Sequence, residues 1–193
     1  MPAKTEKANP SEKILLTAFE CLSTKGYANV TMRNIADEAG VALSQLTYYY
    51  KNKENLFMEV INMMTEQYLN EMETTLAAAA DPAEKILSFA SFFRKLITDK
   101  PNLLRLFIDF TAQALWIPSF RERLNNLFTA STKIIEKNLP ADAVDSGSTS
   151  ENTPEYLSRL LFGALFGTSI QIILNSDQES VLGSLYLTES LLS

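Results

Sequence analysis

The sequence predicts an all-α protein: a three-helix head, a connecting helix and a helical body, about nine helices in all. Three observations lead there. Nearly every apolar segment repeats at the three-to-four-residue spacing of an amphipathic helix. No segment alternates with the two-residue period of a strand for long enough to form one. Gly26, Gly40, Pro82, Pro101, Pro118 and Pro154 mark the breaks between segments, where a helical chain is punctuated.

Each element follows from local residues. Ser11 is placed to cap a first helix over residues 11–23, with Ile14, Leu15, Ala18, Phe19 and Leu22 on one face. Gly26 stands where a left-handed residue closes that helix. Thr31 starts a second helix, with an incomplete cap because Asn34 stands where a capping box takes Glu or Gln. Ile35, Ala36 and Ala39 face inward, and Gly40 ends it. A third, short helix covers residues 42–48, and a long fourth runs from residue 52 or 53 to 76. Asp81 and Pro82 open a fifth, with proline at the first helical position. Lys100-Pro101 separates it from a sixth reaching residue 115, and Ile117-Pro118 precedes a seventh capped by Ser119 and ending near residue 139. Residues 140–153 hold one large apolar residue and read as a loop. Pro154 opens an eighth helix to residue 175, and a ninth covers residues 177–192.

Composition excludes most catalytic chemistry. Apolar residues at 46% and charged residues at 21% suit a globular chain that buries a core without disulfides or metals. Histidine is absent and Cys21 is the single cysteine, so Ser-His-Asp and Cys-His nucleophiles, His-ligated zinc and thiolate clusters are excluded. No enzyme activity, cofactor or metal is expected. The first eleven residues are polar, and the most apolar stretch, residues 160–174, contains Thr168, Ser169 and Gln171 and is short for a membrane span. A cytoplasmic protein without membrane association is expected. Net charge is −6, unevenly spread: residues 1–58 carry seven basic and six acidic residues, and the rest carry ten and seventeen. A near-neutral head on an acidic body implies two tasks on one chain. The expected domains are residues 1–52 and 53–193.

Two short helices joined by a tight turn form a helix-turn-helix unit. Ala36 is small where the helices cross, Gly40 supplies positive φ at the turn, and Val41 and Leu46 pack the second helix on the first. Residues 42–48 then enter a major groove, presenting Leu43, Ser44, Gln45 and Thr47 to base edges. Gln pairs with adenine, Ser and Thr serve either base, and an apolar side chain meets a thymine methyl. Tyr48, Tyr49 and Tyr50, followed by Lys51, Asn52 and Lys53, supply phenol and ammonium groups for phosphate. Without the helix pair before them, the same residues read as core and solvated cap.

The stretch KILLTAFECLSTKGYANVTMRNIADEAGVALSQLTYYYKNKENLF, residues 13–57, resembles the DNA-binding domain of the TetR (tetracycline-repressor-like) family. The likeness rests on Ala18-Phe19, Lys25-Gly26-Tyr27, Thr31, Ile35-Ala36, Ala39-Gly40-Val41, Leu46, Tyr48, and Lys51-Asn52-Lys53-Glu54 before Leu56, at the family spacing without a gap. It covers about a quarter of the chain. The resemblance implies that Thr31 and Arg33 lie near phosphate, that residues 42–47 read bases, and that Tyr48 and Lys53 contact phosphate. Tyr50 replaces the family's usual Phe and should be core. Ala42 replaces a common capping Ser, at a cost of about 1 kcal/mol. Thr47 stands where Tyr is common and Tyr49 where His is common, so the base preference is this chain's own.

The body carries two further expectations. In residues 154–175, Leu157, Leu160, Leu161, Ala164, Leu165, Thr168 and Ile172 form one stripe, while Phe162, Phe166, Ile170 and Ile173 fall elsewhere. A helix apolar on several faces must bury several faces, either as the core helix of a monomer or against a second subunit. Gly163 and Gly167 would permit close approach, and Val181, Leu182, Leu185 and Leu191 of the ninth helix would complete a four-helix interface. In the TetR family the last two long helices commonly do this, so a homodimer is expected. The body is also rich in aromatics, among them Phe89, Phe92, Phe93, Phe107, Phe110, Trp116, Phe120, Phe128, Phe162 and Phe166. These read either as core or as the lining of a cavity for an apolar or aromatic effector. Arg105, Asp109 and Gln113 share one face of the sixth helix, as a solvated stripe or as polar anchors, and Gln171 is a further polar candidate. Together these readings give a homodimeric repressor of a palindromic operator, released by a small molecule, with the fourth helix as the lever. A helical protein-interaction module, or an activator without a small-molecule ligand, is the alternative.

Overall fold

The computed structural model describes residues 9–138 and 153–175, and every regular element among them is helical. Eight α-helices follow in order: α1 (Pro10–Lys25), α2 (Met32–Ala39), α3 (Leu43–Tyr50), α4 (Lys53–Ala78), α5 (Pro82–Asp99), α6 (Pro101–Ala114), α7 (Pro118–Asn138) and α8 (Thr153–Leu174). A single 3₁₀ turn, Tyr27–Asn29, separates α1 from α2. Residues 140–152 of the expected loop and the whole expected ninth helix lie outside the described residues.

Prolines start α1, α5, α6 and α7, where the missing N–H is one the helix could not have paired. This relocates two expected caps. Ser11 is not the cap of α1: Asn9 is, its side chain accepting from the Ser11 N–H at 3.2 Å. Ser119 falls inside the first turn of α7, which Pro118 opens. Asp81 caps α5 by accepting from the Glu84 N–H at 2.9 Å. The cap of α2, expected to be incomplete, is a full reciprocal box. Thr31 Oγ1 accepts from the Asn34 N–H at 3.1 Å, and Asn34 Oδ1 accepts from the Thr31 N–H at 3.0 Å. The shorter Asn side chain reaches as far as the motif needs.

The chain divides into two compact units, Met1–Met64 and Thr65–Ser193. The division falls inside α4, twelve residues beyond the boundary read from sequence. Leu56, Phe57, Val60 and Ile61 from the first turns of α4 are fully or almost fully buried, which carries the first unit past the start of that helix. The rest of its core is Ile14, Ala18, Cys21 and Leu22 of α1, Val30 ahead of α2, Ile35, Ala36 and Ala39 of α2, and Leu46 and Tyr50 of α3. Burial pushes the Cys21 thiol pKa up, which keeps it protonated and inert.

The second unit is built on a ring cluster. Phe89, Phe92 and Phe93 of α5 meet Met72 and Leu76 of α4 and Leu161, Phe162 and Leu165 of α8, with Ile135 of α7 and Leu104 of α6. Each large side chain fully removed from water stabilises the fold by about 1.5–3 kcal/mol. At the α5–α6 corner, Lys100 Nζ bonds both carboxylate oxygens of Glu71 at 2.7 Å. Burial pushes the Glu71 carboxyl up, but the Lys100 ammonium and the Gln67 amide bonded to it outweigh this and hold its pKa below the usual carboxylate range. Both side chains keep substantial solvent exposure, so the pair adds little stability.

Candidate nucleic-acid interface

The helix-turn-helix is set by backbone geometry. Gly40 has φ +65° and ψ +36°, the left-handed conformation that ends α2, and its N–H bonds the Asp37 carbonyl. The Val41 N–H returns to the Ala36 carbonyl at 3.0 Å, which closes the turn tightly enough for α3 to begin two residues later. Ala42 flanks α3 without a side-chain cap, so the first N–H groups of α3 face outward unsatisfied by any side chain.

The sequence-predicted residues fall into two environments. Thr31, Arg33, Ala42 and Ser44 are exposed, and Leu43, Gln45 and Thr47 are half-buried. Tyr48 is 82% exposed and lies edge-on to the exposed ring of Tyr49 at 5.4 Å. A phenol projecting this far from a helix is available to a partner. Thr47 differs from expectation in one respect: its hydroxyl donates to the Leu43 and Ser44 carbonyls at 3.0 Å, so its hydrogen is spent within the helix. Thr47 therefore offers a methyl group and an acceptor oxygen.

Past α3 the chain turns through Lys51, the one non-glycine residue with positive φ among the described residues, at +55°. Asn52 then caps α4, its Oδ1 accepting from the Asn55 N–H at 2.8 Å. Lys53, the first residue of α4, holds its ammonium 4.2 Å from the centre of the Tyr27 ring, which packs on Phe57 at 4.6 Å. The cation is thereby fixed in position, and not swinging on a free stem.

Tyr50 is buried, as expected, but its hydroxyl has a role that the sequence does not signal. It donates to the Ser11 carbonyl at 2.8 Å and lies 2.9 Å from Ser11 Oγ, tying the end of α3 to the first turn of α1. Replacing Tyr50 by Phe is expected to lower unfolding free energy by about 0.5–1.5 kcal/mol, read from the denaturant midpoint. A variant as stable as the parent would mean that the tie contributes nothing. Lys13 was also missed. It is exposed, and its Nζ lies 3.9 Å from where a Cβ on Gly40 would sit, beside the turn itself.

The residues expected to bind an effector are only partly brought together. Phe89, Phe93 and Phe166 join the ring cluster: Phe89 meets Phe93 at 5.2 Å, Phe93 meets Phe162 at 5.9 Å, and Phe162 stacks on Phe166 at 6.1 Å. Phe110 instead pairs with Phe120 at 5.5 Å. Trp116 is 82% exposed at the α6–α7 corner and lines no core. Asp109 and Gln113 bond each other at 3.2 Å, but Arg105 is exposed and turns to Asn102, so the three do not act as one stripe. Gln171 is exposed. A cleft of about 430 Å³ between α4 and α5 is lined by Asn70, Glu71, Thr74, Phe92, Lys95 and Lys100 among others, and of the aromatics singled out in the sequence it takes only Phe92.

The stripe assigned to a partner subunit is also corrected. Leu161, Leu165 and Ile172 are buried in the second unit's own core and are not available to another chain. Ala164 is exposed and Thr168 half-buried, while the Leu157 side chain, Leu182 and Leu185 lie outside the described residues. The exposed line of α8 runs instead through Tyr156, Leu160, Ala164, Gln171 and Leu174, with Leu160 68% and Leu174 79% exposed. Gly163 and Gly167 border it, and a Cβ on either would meet nothing within 4 Å. No group of residues able to hold a metal ion, and no helix long and apolar enough to cross a membrane, occurs among the described residues.

Comparison with known proteins agrees with this geometry. Residues 14–60 match the family model of bacterial regulatory proteins, tetR family. The fatty acid metabolism regulator protein of Bacillus subtilis (strain 168) is 24% identical over 168 residues, 86% of this chain and 84% of that protein. Among solved structures, a transcriptional regulator from Rhodococcus sp. Rha1 superimposes with a TM-score of 0.76 at 16% identity, covering 95% of this chain and 96% of that one. The transcriptional regulator FadR from Bacillus subtilis, solved in complex with stearoyl-CoA, gives 0.73 at 22% identity, covering 94% and 96%. At such identities the structural likeness speaks for the fold, and the family assignment comes from the head. Residues 14–60 are thus a domain of the tetR family of bacterial regulatory proteins.

Proposed function

We propose that this chain is a ligand-responsive repressor that binds a palindromic operator as a homodimer and leaves it when a small molecule occupies the second unit. The observation that carries the DNA half is the α2–Gly40–α3 unit, with Ser44 and Tyr48 exposed and Lys53 held against Tyr27. Leu43, Ser44, Gln45 and Thr47 read base edges. Thr31, Arg33, Tyr48, Tyr49 and Lys53 hold phosphates, and Lys13 beside the turn adds a further cation. The exposed Leu160 and Leu174 of α8 support the homodimer, since two-fold symmetry of the protein matches two-fold symmetry of an operator.

The effector half draws on the ring cluster and on the stearoyl-CoA complex of the Bacillus subtilis regulator. An effector favouring a head arrangement unsuited to the operator weakens DNA binding by a coupling of about 1–3 kcal/mol, and the operator weakens effector binding equally. A second reading, a regulator without a small-molecule effector, is favoured by the near-complete burial of Phe89, Phe93 and Phe110, which is what plain core residues would show.

Two substitutions test the DNA half. Lys53→Ala should weaken all duplexes alike and reduce the slope of log affinity against log salt by about one unit. Gln45→Ala should leave that slope unchanged and shift preference at a single base pair, by about 1–3 kcal/mol. If Gln45→Ala alters neither affinity nor preference, α3 is not the reading helix. If affinity does not fall with salt, the head binds protein and not DNA.

A further inference from the structure

We propose that Ser131 is the polar anchor of an effector site in the aromatic core of the second unit. It takes an uncharged molecule: an apolar body carrying one hydrogen-bonding oxygen. The inference rests on the ligand-responsive reading above and assigns it a residue and a ligand class.

Ser131 lies on α7 and is fully buried, and its Oγ has no hydrogen-bond partner among the described residues. A serine or threonine inside a helix ordinarily gives its proton to the carbonyl four residues back. Ser169 does so to Leu165 at 2.7 Å, and Thr132, the residue next to Ser131, does so to Phe128 at 3.1 Å. Ser131 does not. A buried hydroxyl left unpaired is costly, so its retention in a core points to a partner supplied from outside the chain.

The surroundings define that partner. Phe128 stands one turn before Ser131 on α7 and Ile135 one turn after, and both belong to the aromatic core. Phe128 faces Phe162 at 5.5 Å and Phe107 and Phe166 at 6.3 Å. The walls are therefore apolar and largely aromatic. Three other buried polar side chains of the unit are already engaged: the Asn138 amide donates to the Ile134 carbonyl at 2.8 Å, Ser169 is bonded as above, and Ser158 has a partner. No Asp, Glu, Lys or Arg is buried as a whole among the described residues, and Arg123 Nε, a cationic atom buried without a hydrogen-bond partner, belongs to a side chain that is only half-buried. Arg123, half-buried on the same helix, is two turns away, about 12 Å along the axis, and cannot share an oxygen with Ser131. A hydroxyl, ketone or ester oxygen on an apolar frame satisfies Ser131 without burying a charge.

Ser131→Ala in the full chain tests this in two measurements. Without ligand, removing an unpaired hydroxyl from an apolar site should raise Tm by about 2–4 °C. A fall in Tm would mean that the hydroxyl is already bonded in the free protein, by water or otherwise, and would overturn the proposal. The second measurement uses 2-naphthol and naphthalene, one frame with and without an oxygen, titrated by calorimetry. The parent protein should bind 2-naphthol about tenfold more tightly than naphthalene, and the variant should bind both as the parent binds naphthalene. Equal binding of each probe by parent and variant would leave the effector reading standing and remove Ser131 from it. Failure of the parent to bind either probe would overturn the effector reading and this inference together.

Discussion

Replacing Leu160 by Asp is expected to yield a folded monomer whose affinity for a palindromic duplex is about 10²–10⁴-fold below that of the parent. Leu160 is 68% exposed on the outward line of α8, so a carboxylate there does not disturb the unit's own core. Across a two-fold axis each residue of the face is duplicated, and the substitution sets two charges in an apolar contact at once. Without the dimer each head binds its half-site alone, and the gain from simultaneous engagement is lost. The neighbouring Leu161→Asp is the control: it points into the core beside Phe162 and should unfold the unit instead. Sedimentation equilibrium and DNA titration of both variants decide the matter. A dimer of undiminished affinity from Leu160→Asp would place the partner face elsewhere.

Replacing Phe93 by Ala is expected to lower the unfolding free energy by about 3–5 kcal/mol. Phe93 is 1% exposed and meets three other rings edge-on: Phe89 at 5.2 Å, and Phe92 and Phe162 at 5.9 Å. Truncation removes its transfer energy, leaves a cavity, and forfeits edge-to-face contacts of about 0.5–1.5 kcal/mol each. Denaturant unfolding followed by circular dichroism measures the loss. A value under about 1 kcal/mol would mean that the Phe93 ring contributes little to holding the second unit together.

The helical plan was legible because proline and glycine act locally. Pro82, Pro101 and Pro118 each stand at a helix start and Gly40 at a helix end, whatever the rest of the chain does. The caps were less legible because several side chains compete within a few residues. Asn9 and Ser11 flank Pro10, and the proline hands the capping position to Asn9. Asn34 was discounted on motif grounds, yet its amide oxygen reaches the Thr31 N–H. In the head, the exposed face of α3 was readable because a short helix after a tight turn has one buried side, marked by Leu46 and Tyr50.

In α8 the same reasoning failed in phase. Apolar residues surround that helix, so periodicity identifies a stripe without saying which stripe faces the core. A displacement of one residue, from Leu160 to Leu161, turns a side chain by about 100° and exchanges surface for interior. Trp116 illustrates the converse: it is the chain's one tryptophan and reads as core by composition, yet the α6–α7 corner holds it in solvent. Arg121 fixes that corner by donating to the Ala114 and Leu115 carbonyls. Nothing local announces either this arrangement or the tie between Tyr50 and Ser11, which lie 39 residues apart.

The central claim is that the capped helix-turn-helix of the first unit reads a two-fold-symmetric DNA sequence. Selection of the purified protein against random duplex DNA, at near-physiological salt, tests it most directly. The account predicts enrichment of a palindrome whose half-site loses preference at one base pair when Gln45 is replaced by Ala. Absence of any enriched sequence at that salt and at lower salt, with and without added 2-naphthol, would contradict it and leave the exposed face of α3 as a surface for another kind of partner.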